Sequence, residues 1–276
     1  MSPVESDEED LTRKQRREQA RAQRKEMEEA AAASAVRRTR LTQLGIVVSV
    51  VVVAIVVVLI ATGGGSKSGI PKSKTEQNSV THGIAALIGG IPQSGNALGS
   101  PTAPVTLQYF GDLECPICRE FTTGALPSII PKWVRTGKLR IEYHSMETAT
   151  REPETFKTQQ IAAYAAGKQN KAWYFIETFY HEQGEEDSGY VTESYLQGIA
   201  SQVPGLDLAK WTSDRNDPEL ANEITTDTQA ANNHGFKGTP SFLIGRSGGA
   251  MTTLEYPSAP SDPTFVNEAV EKLLKA

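Results

Sequence analysis

The chain has 276 residues, 38% of them hydrophobic and 22% charged, with a net charge of −5 and two cysteines. That apolar content is enough for a packed core and excludes global disorder, while two cysteines exclude a disulfide-rich scaffold and a four-cysteine zinc site and leave room for one redox pair. Residues 1–40 carry 10 basic and 9 acidic side chains, residues 41–66 carry none, and the remainder is acidic; nucleic acid is therefore not expected as a partner, because phosphate neutralisation needs a basic surplus.

Residues 11–33 are strong helix formers of mixed charge with almost no apolar stripe, so residues 1–40 read as a solvated, charged tail. From Leu44 to Ala61 the sequence runs LGIVVSVVVVAIVVVLIA, with Ser49 as its one polar side chain. As a helix this run spans about 27 Å at about 1.5 Å per residue, close to the thickness of a bilayer core. Strands seldom exceed ten residues, so its length favours a transmembrane helix, placed at 41–63, over a buried strand. Arg37, Arg38 and Arg40 precede it, which puts residues 1–40 in the cytoplasm and the following chain outside the cell membrane. A cleaved signal peptide, with Ala61 and Gly63 before the cut, is the alternative. Residues 64–80, rich in Gly, Ser and Lys, read as a flexible linker, and 81–276 as the folded domain.

Val105–Phe110 (VTLQYF) is a strand signal opened by Pro101 and Pro104. Gly111-Asp112-Leu113-Glu114 breaks it and leads into Cys115-Pro116-Ile117-Cys118, with Arg119-Glu120-Phe121 continuing as a helix. A thiol at a helix start faces unpaired N–H groups and the positive dipole end, which favour thiolate. Pro116 suits the first helical turn, and Cys118, one turn on, can reach back to close a disulfide. Two other readings remain. A zinc site would need two more ligands from His82, His144, His181 and His234, which are scattered; an inert structural disulfide would close a very short loop.

Phe110–Cys118 (FGDLECPIC) resembles the active-site segment of the DsbA-like branch of the thioredoxin superfamily. The resemblance implies a second signature, a cis-proline opening a later strand beside the disulfide, and Gly238-Thr239-Pro240-Ser241-Phe242-Leu243-Ile244-Gly245 matches it. Without the resemblance Pro240 would be read as trans, since cis bonds are about 5–6% of X-Pro bonds in folded proteins. The implied fold is an α/β thioredoxin fold with an inserted helical subdomain. The implied roles are Cys115 and Cys118 as the catalytic redox pair, and Pro116, Ile117, Thr239 and Pro240 as the surface that meets a client.

The spacing from Cys115 to Pro240 leaves room for such an insertion, at about 150–233. Lys138–Ser145 reads as the next parallel strand, after a helix ending near 135–137. Trp173, Ile176, Phe179 and Tyr180 form one helical face, Leu196, Ile199, Ala200 and Val203 another, and Leu206–Trp211 and Pro218–Asn233 supply two further segments. The last helix starts at Ser261-Asp262-Pro263 and buries Phe265, Val266, Ala269, Val270, Leu273 and Leu274.

Three positions depart from the family pattern. Tyr109 stands where a buried carboxylate is usual, and a phenol is no proton acceptor near neutral pH. Ile117 replaces the histidine of strongly oxidising relatives and offers the thiolate no donor. Glu114 adds a negative charge that would raise the thiol pKa if close. His144, near a strand's C-terminal end, reads as an edge histidine without a redox role. The expected activity is thus that of an extracytoplasmic, membrane-anchored thiol-disulfide oxidoreductase acting on exported, cysteine-containing clients without a diffusible cofactor. By resemblance, a quinone-linked membrane oxidase would accept its electrons. A reductase or isomerase, or a non-catalytic chaperone-like client binder, are the alternatives.

Overall fold

A computed structural model describes residues 73–256 and 259–275. The expected tail (1–40), the membrane span (41–63) and the linker up to residue 72 lie outside these residues. Among the described residues no helix is long and apolar enough to cross a membrane.

The run VTLQYFG forms β3 (Val105–Gly111), which is buried along nearly its whole length. A strand covered on both faces needs apolar side chains on both, and this one supplies them. It pairs in parallel with β4 (Leu139–Ser145) and antiparallel with β5 (Ser241–Arg246). A short hairpin of β1 (Gln93–Ser94) and β2 (Ala97–Leu98), together with β6 (Met251–Thr253), completes a six-stranded sheet in the order β1-β2-β4-β3-β5-β6. Alternation along β3 divides the core: Leu107 and Tyr109 enter the main cluster, while Phe110 packs on the other face with Met146, Ala231 and Leu243.

The segment after the cysteines is helical but uneven. α2 (Pro116–Glu120) runs into a π-helical stretch Phe121–Ala125, then α3 (Leu126–Ile129), then a second π-helical stretch Ile130–Val134. Pro127 and Pro131 lack the N–H that an interior helix position donates, and the turns beside them widen so that Leu126 N–H reaches Phe121 O and Arg135 N–H reaches Ile130 O.

Five helices form the insertion between β4 and β5: α4 (Pro153–Gly167), α5 (Ala172–His181), α6 (Glu193–Ser201), α7 (Leu208–Asp214) and α8 (Pro218–Asn233). Thr192, Asp207 and Asp217 cap three of them, each side chain accepting a first-turn N–H. The two apolar faces read from the sequence are buried throughout. Trp173 and Trp211 fasten the insertion, their indole N–H groups donating to Asn96 O and Ala162 O at 2.8 Å. The last helix, α9 (Thr264–Lys275), is opened by Asp262, which accepts from Thr264 N–H, and buries Phe265, Val266 and Val270.

One boundary is corrected. The linker expected at 64–80 gives way at its C-terminal end to helix α1 (Lys74–Ile88). Ser73 and Glu76 are the reason: the Ser73 hydroxyl accepts from Glu76 N–H and donates to the Glu76 carboxylate, a local cap that overrides the surrounding polar composition. Val80, Ile84, Leu87 and Ile88 then pack on the main core, and Arg135 donates to carbonyls of Ala86, Leu87 and Gly89 at the helix end.

His144 lies on the Phe110 face, stacked on that ring at 5.0 Å. Its Nδ1 is 2.6 Å from Asp227 Oδ1, while the other Asp227 oxygen accepts from Ser145 N–H, from the Ser145 hydroxyl and from Tyr164. Burial alone would lower the imidazole pKa, but the Asp227 and Glu142 carboxylates overcome it and raise it to about 9. The proton is thus held more tightly in the folded chain than in the unfolded one. Its stabilising effect is complete below pH ~6.5 and lost as pH rises through about 9. Thermal melts between pH 6 and 10 should show the midpoint falling across that window, and His144→Phe should flatten the fall.

Candidate active site

The site is built from three loops at one end of the central strands: the turn after β3, the loop after β4 and the turn before β5. Cys115 is the N-cap residue of α2, with Pro116 in the first turn. Its Sγ accepts from Cys118 N–H at 3.3 Å and lies 3.4 Å from Thr239 O, toward which its thiol points. The Thr239–Pro240 bond is cis, as the resemblance implies. Cys115, Cys118 and Thr239 are therefore together in space across 124 residues of chain. Pro116 and Ile117 are exposed on the rim, Ile117 at 40%, one of few large apolar side chains so exposed among the described residues.

The two sulfurs have unlike surroundings. Both cysteines are thiols here. The Cys118 thiol, donating to Cys115, lowers the Cys115 pKa to about 7; burial opposes, and the Thr239 side chain and the N–H groups of Cys118 and Ile117 help. Cys118 is wholly inaccessible, and burial followed by the neighbouring Cys115 pushes its thiol well above the ordinary value. One sulfur is poised to attack or leave as thiolate; the other holds its proton.

The turn between β3 and Cys115 is held by Asp112, which is fully buried. One carboxylate oxygen accepts from the N–H groups of Thr148, Ala149 and Thr150 at 2.9–3.0 Å. The other accepts from the Thr150 hydroxyl at 2.6 Å and from Glu114 N–H at 3.1 Å. The loop so held carries Thr148, whose hydroxyl bonds that of Thr239 at 2.5 Å. Asp112 thus ties the cysteine turn to the Thr239 turn through the loop between them.

Beneath Cys118 lies a group of buried tyrosines. Tyr109 donates to the Tyr180 hydroxyl at 3.0 Å, Tyr180 donates to Asp112 O at 3.1 Å, and Tyr143 meets Gly111 O and Gln160. Gly111 is obligatory beside them, because a Cβ there would come within 3.0 Å of the Tyr109 and Tyr143 rings. Burial first, then the nearby Cys118, pushes the Tyr109 and Tyr143 phenols well above their usual range. The position read as the missing carboxylate is therefore filled by neutral hydroxyls.

Glu114 behaves differently from its expected role. Burial raises its own pKa to about 7, against the Thr150 hydroxyl that stabilises its charge, so below neutrality it brings no negative charge to the thiol. His144 faces the opposite side of the sheet, away from the tyrosines. The sequence marked none of Asp112, Tyr143, Thr148, Tyr180 and Gln183 as a site residue, Asp112 being read as part of a strand-ending turn and Tyr180 as part of a helical face. Of these only Asp112, beside the CxxC turn, had a local signal, as an acidic turn residue.

Residues 93–252 match the family model described as thioredoxin. The probable disulfide bond formation protein D of Bacillus anthracis is 24% identical over 149 residues, covering 54% of this chain and 68% of that protein. The disulfide bond formation protein D of Bacillus subtilis is 23% identical over 177 residues, covering 62% and 75%. Among solved structures, oxidised BdbD from Bacillus subtilis superposes with a TM-score of 0.56 at 19% identity, covering 67% of this chain and 98% of that one. The alpha-DsbA1 of Wolbachia pipientis gives 0.51 at 20% identity, covering 65% and 90%. These likenesses show a shared fold, helical insertion included.

Two outcomes follow from the geometry. Thiolate absorbance should report one group titrating near pH 7, lost in Cys115→Ser, with Cys118 silent until far more alkaline pH. Asp112→Asn places a donor among six donors, the Gln159 amide at 3.5 Å included, and should lower unfolding free energy by about 2–4 kcal/mol in urea titrations.

Proposed function

The chain belongs to the thioredoxin family, and from that premise we propose that it is a thiol-disulfide oxidoreductase that introduces disulfides into exported proteins through Cys115 and Cys118. The observation that carries this reading is the asymmetry of the pair: a helix-capping Cys115 with a pKa of about 7 beside a buried Cys118 that keeps its proton.

In the oxidase direction a client thiolate attacks Cys115 Sγ of the Cys115–Cys118 disulfide. The Cys118 sulfur leaves and is protonated, as its raised pKa favours. A second client thiolate then attacks the client sulfur of the mixed disulfide and expels Cys115 as thiolate. The client gains a disulfide, the protein is left as the dithiol, and two electrons have moved. The acidity of Cys115 makes it a good leaving group in the second step. Exposed Ile117 and Pro116, with the Thr239 and Pro240 turn opposite, form the surface a client would meet. The neighbouring relatives named as disulfide bond formation proteins support the reaction.

The arginines before Leu44–Ala61 support a single-pass anchor with this domain outside the cell membrane, where disulfides persist. The dithiol must then be reoxidised, and a quinone-linked membrane oxidase is the electron acceptor this reading assigns.

The thiol acidity also favours a less oxidising poise than that of DsbA. A Cys115 pKa of about 7 matches the ~7 of thioredoxin rather than the ~3.5 of DsbA, and a less stabilised thiolate means a less favoured reduced form. The potential should fall between about −120 and about −270 mV in glutathione equilibration. Net reductase or isomerase activity is correspondingly the second reading.

Reaction with a reduced, unfolded multi-cysteine substrate tests the main one. The oxidised chain should pass on one disulfide per molecule. Given a disulfide-bearing client instead, Cys118→Ser should accumulate mixed disulfides, its Cys115 thiolate attacking the client disulfide and expelling the other client sulfur with no second cysteine to resolve the product, and Cys115→Ser should form none. A Cys115→Ser chain that supports client folding as well as the wild type would instead establish a non-catalytic client binder.

A further inference from the structure

The end of α5 reaches the cysteine turn with two side chains. Tyr180 donates to Asp112 O at 3.1 Å. Gln183, two residues beyond the helix, sends its amide nitrogen to Leu113 O at 2.7 Å and to Cys115 O at 3.1 Å. Of the four peptide carbonyls from Asp112 to Cys115, three thus receive a donor from this one stretch of the helical insertion. The orientation of the Gln183 amide is unambiguous. Both neighbours are carbonyl oxygens, so only the NH₂ end, with its two hydrogens, satisfies them.

The Cys115 carbonyl also accepts from Arg119 N–H at 3.1 Å, the first backbone bond of α2. Gln183 therefore grips the peptide that begins the helix, together with the peptide two residues upstream. The geometry that lowers the Cys115 pKa depends on the two peptides that follow: Sγ must sit over the N–H groups of Ile117 and Cys118, whose placement is set by how the helix begins at the Cys115 carbonyl. The segment beyond Gln183 is itself tied down. The Tyr190 ring lies over Gly184, where a Cβ would come within 2.6 Å of it, and Asp187 pairs with Arg151 at 2.7 Å.

We propose that Gln183 is a positioning residue for the redox pair: by holding the Leu113 and Cys115 carbonyls it fixes the helix start on which the Cys115 thiolate rests. It touches neither sulfur and acts through the backbone. The inference rests on the proposed redox role of Cys115 and Cys118.

The test uses the full chain with Gln183→Met, which keeps the length and removes both donors, and Gln183→Glu, which keeps the shape and sets an acceptor against two carbonyls. Two quantities are read: the Cys115 thiolate titration, and the dithiol–disulfide equilibrium with glutathione. Gln183→Met should raise the thiol pKa by about half a unit to one unit, a loss of about three- to tenfold in thiolate below pH 7. The equilibrium with glutathione should shift toward the disulfide form by a similar factor. Gln183→Glu should shift both further in the same direction. A purely structural role would lower the melting temperature of the dithiol and disulfide forms alike and leave pKa and equilibrium unmoved, and that result overturns the inference. A wild-type chain that does not exchange with glutathione overturns the redox reading, and this inference with it; exchange by the wild type beside unchanged variants overturns the inference alone.

Discussion

The Asp112 carboxylate is the contact on which the site depends. Five donors from the loop after β4 and from the cysteine turn converge on its two oxygens in a fully buried position. Buried carboxylates are tolerated only when so surrounded, and removing the acceptor would leave three amides of one loop unpaired in the interior. It fixes the loop that carries Thr148, and the Thr148–Thr239 hydroxyl bond then joins the two sides of the site. The helical insertion adds the third support, through Tyr180 and Gln183. A strand end, a loop and an inserted subdomain thus share one small volume around two sulfurs.

Around Cys118 the chain uses hydroxyls where a carboxylate was expected. The substitution has a chemical meaning. Phenols held above their usual pKa by burial stay neutral over the whole physiological range, so they neither accept the Cys118 proton nor repel a thiolate as an anion would. Acidity is assigned to Cys115 alone, and it arises from the helix start and the neighbouring thiol rather than from a charged partner.

Much of this was legible in the sequence because its signals are local. CPIC after a strand, Thr-Pro before one, and the capped run Pro218–Asn233 each carry their meaning within a few residues, and the structure has them as read. The start of the domain was not legible: Gly, Ser and Lys around residues 64–73 suggest a tether, whereas the Ser73 and Glu76 pair starts a helix whose value lies in packing Ile84 and Ile88 against distant side chains. The supports of the site were hidden for the same reason. Asp112 meets residues 36–38 positions away, Tyr180 meets Tyr109 71 positions away, and Gln183 meets Leu113 70 away. An isolated glutamine after a helix has no pattern that marks it. Glu114 was seen, but its effect was overstated because its own burial is a property of the fold.

The origin of the Cys115 acidity bears on how the protein responds to its surroundings. The groups that favour the thiolate, a thiol, a hydroxyl-bearing side chain and two peptide N–H groups, are neutral dipoles in direct contact with the sulfur. Dissolved ions screen charges separated by about a Debye length, roughly 8 Å at physiological ionic strength, and leave contact dipoles nearly untouched. The thiol would therefore keep nearly the same acidity from dilute to concentrated salt, which a thiolate held by a lysine or an imidazolium at the surface would not.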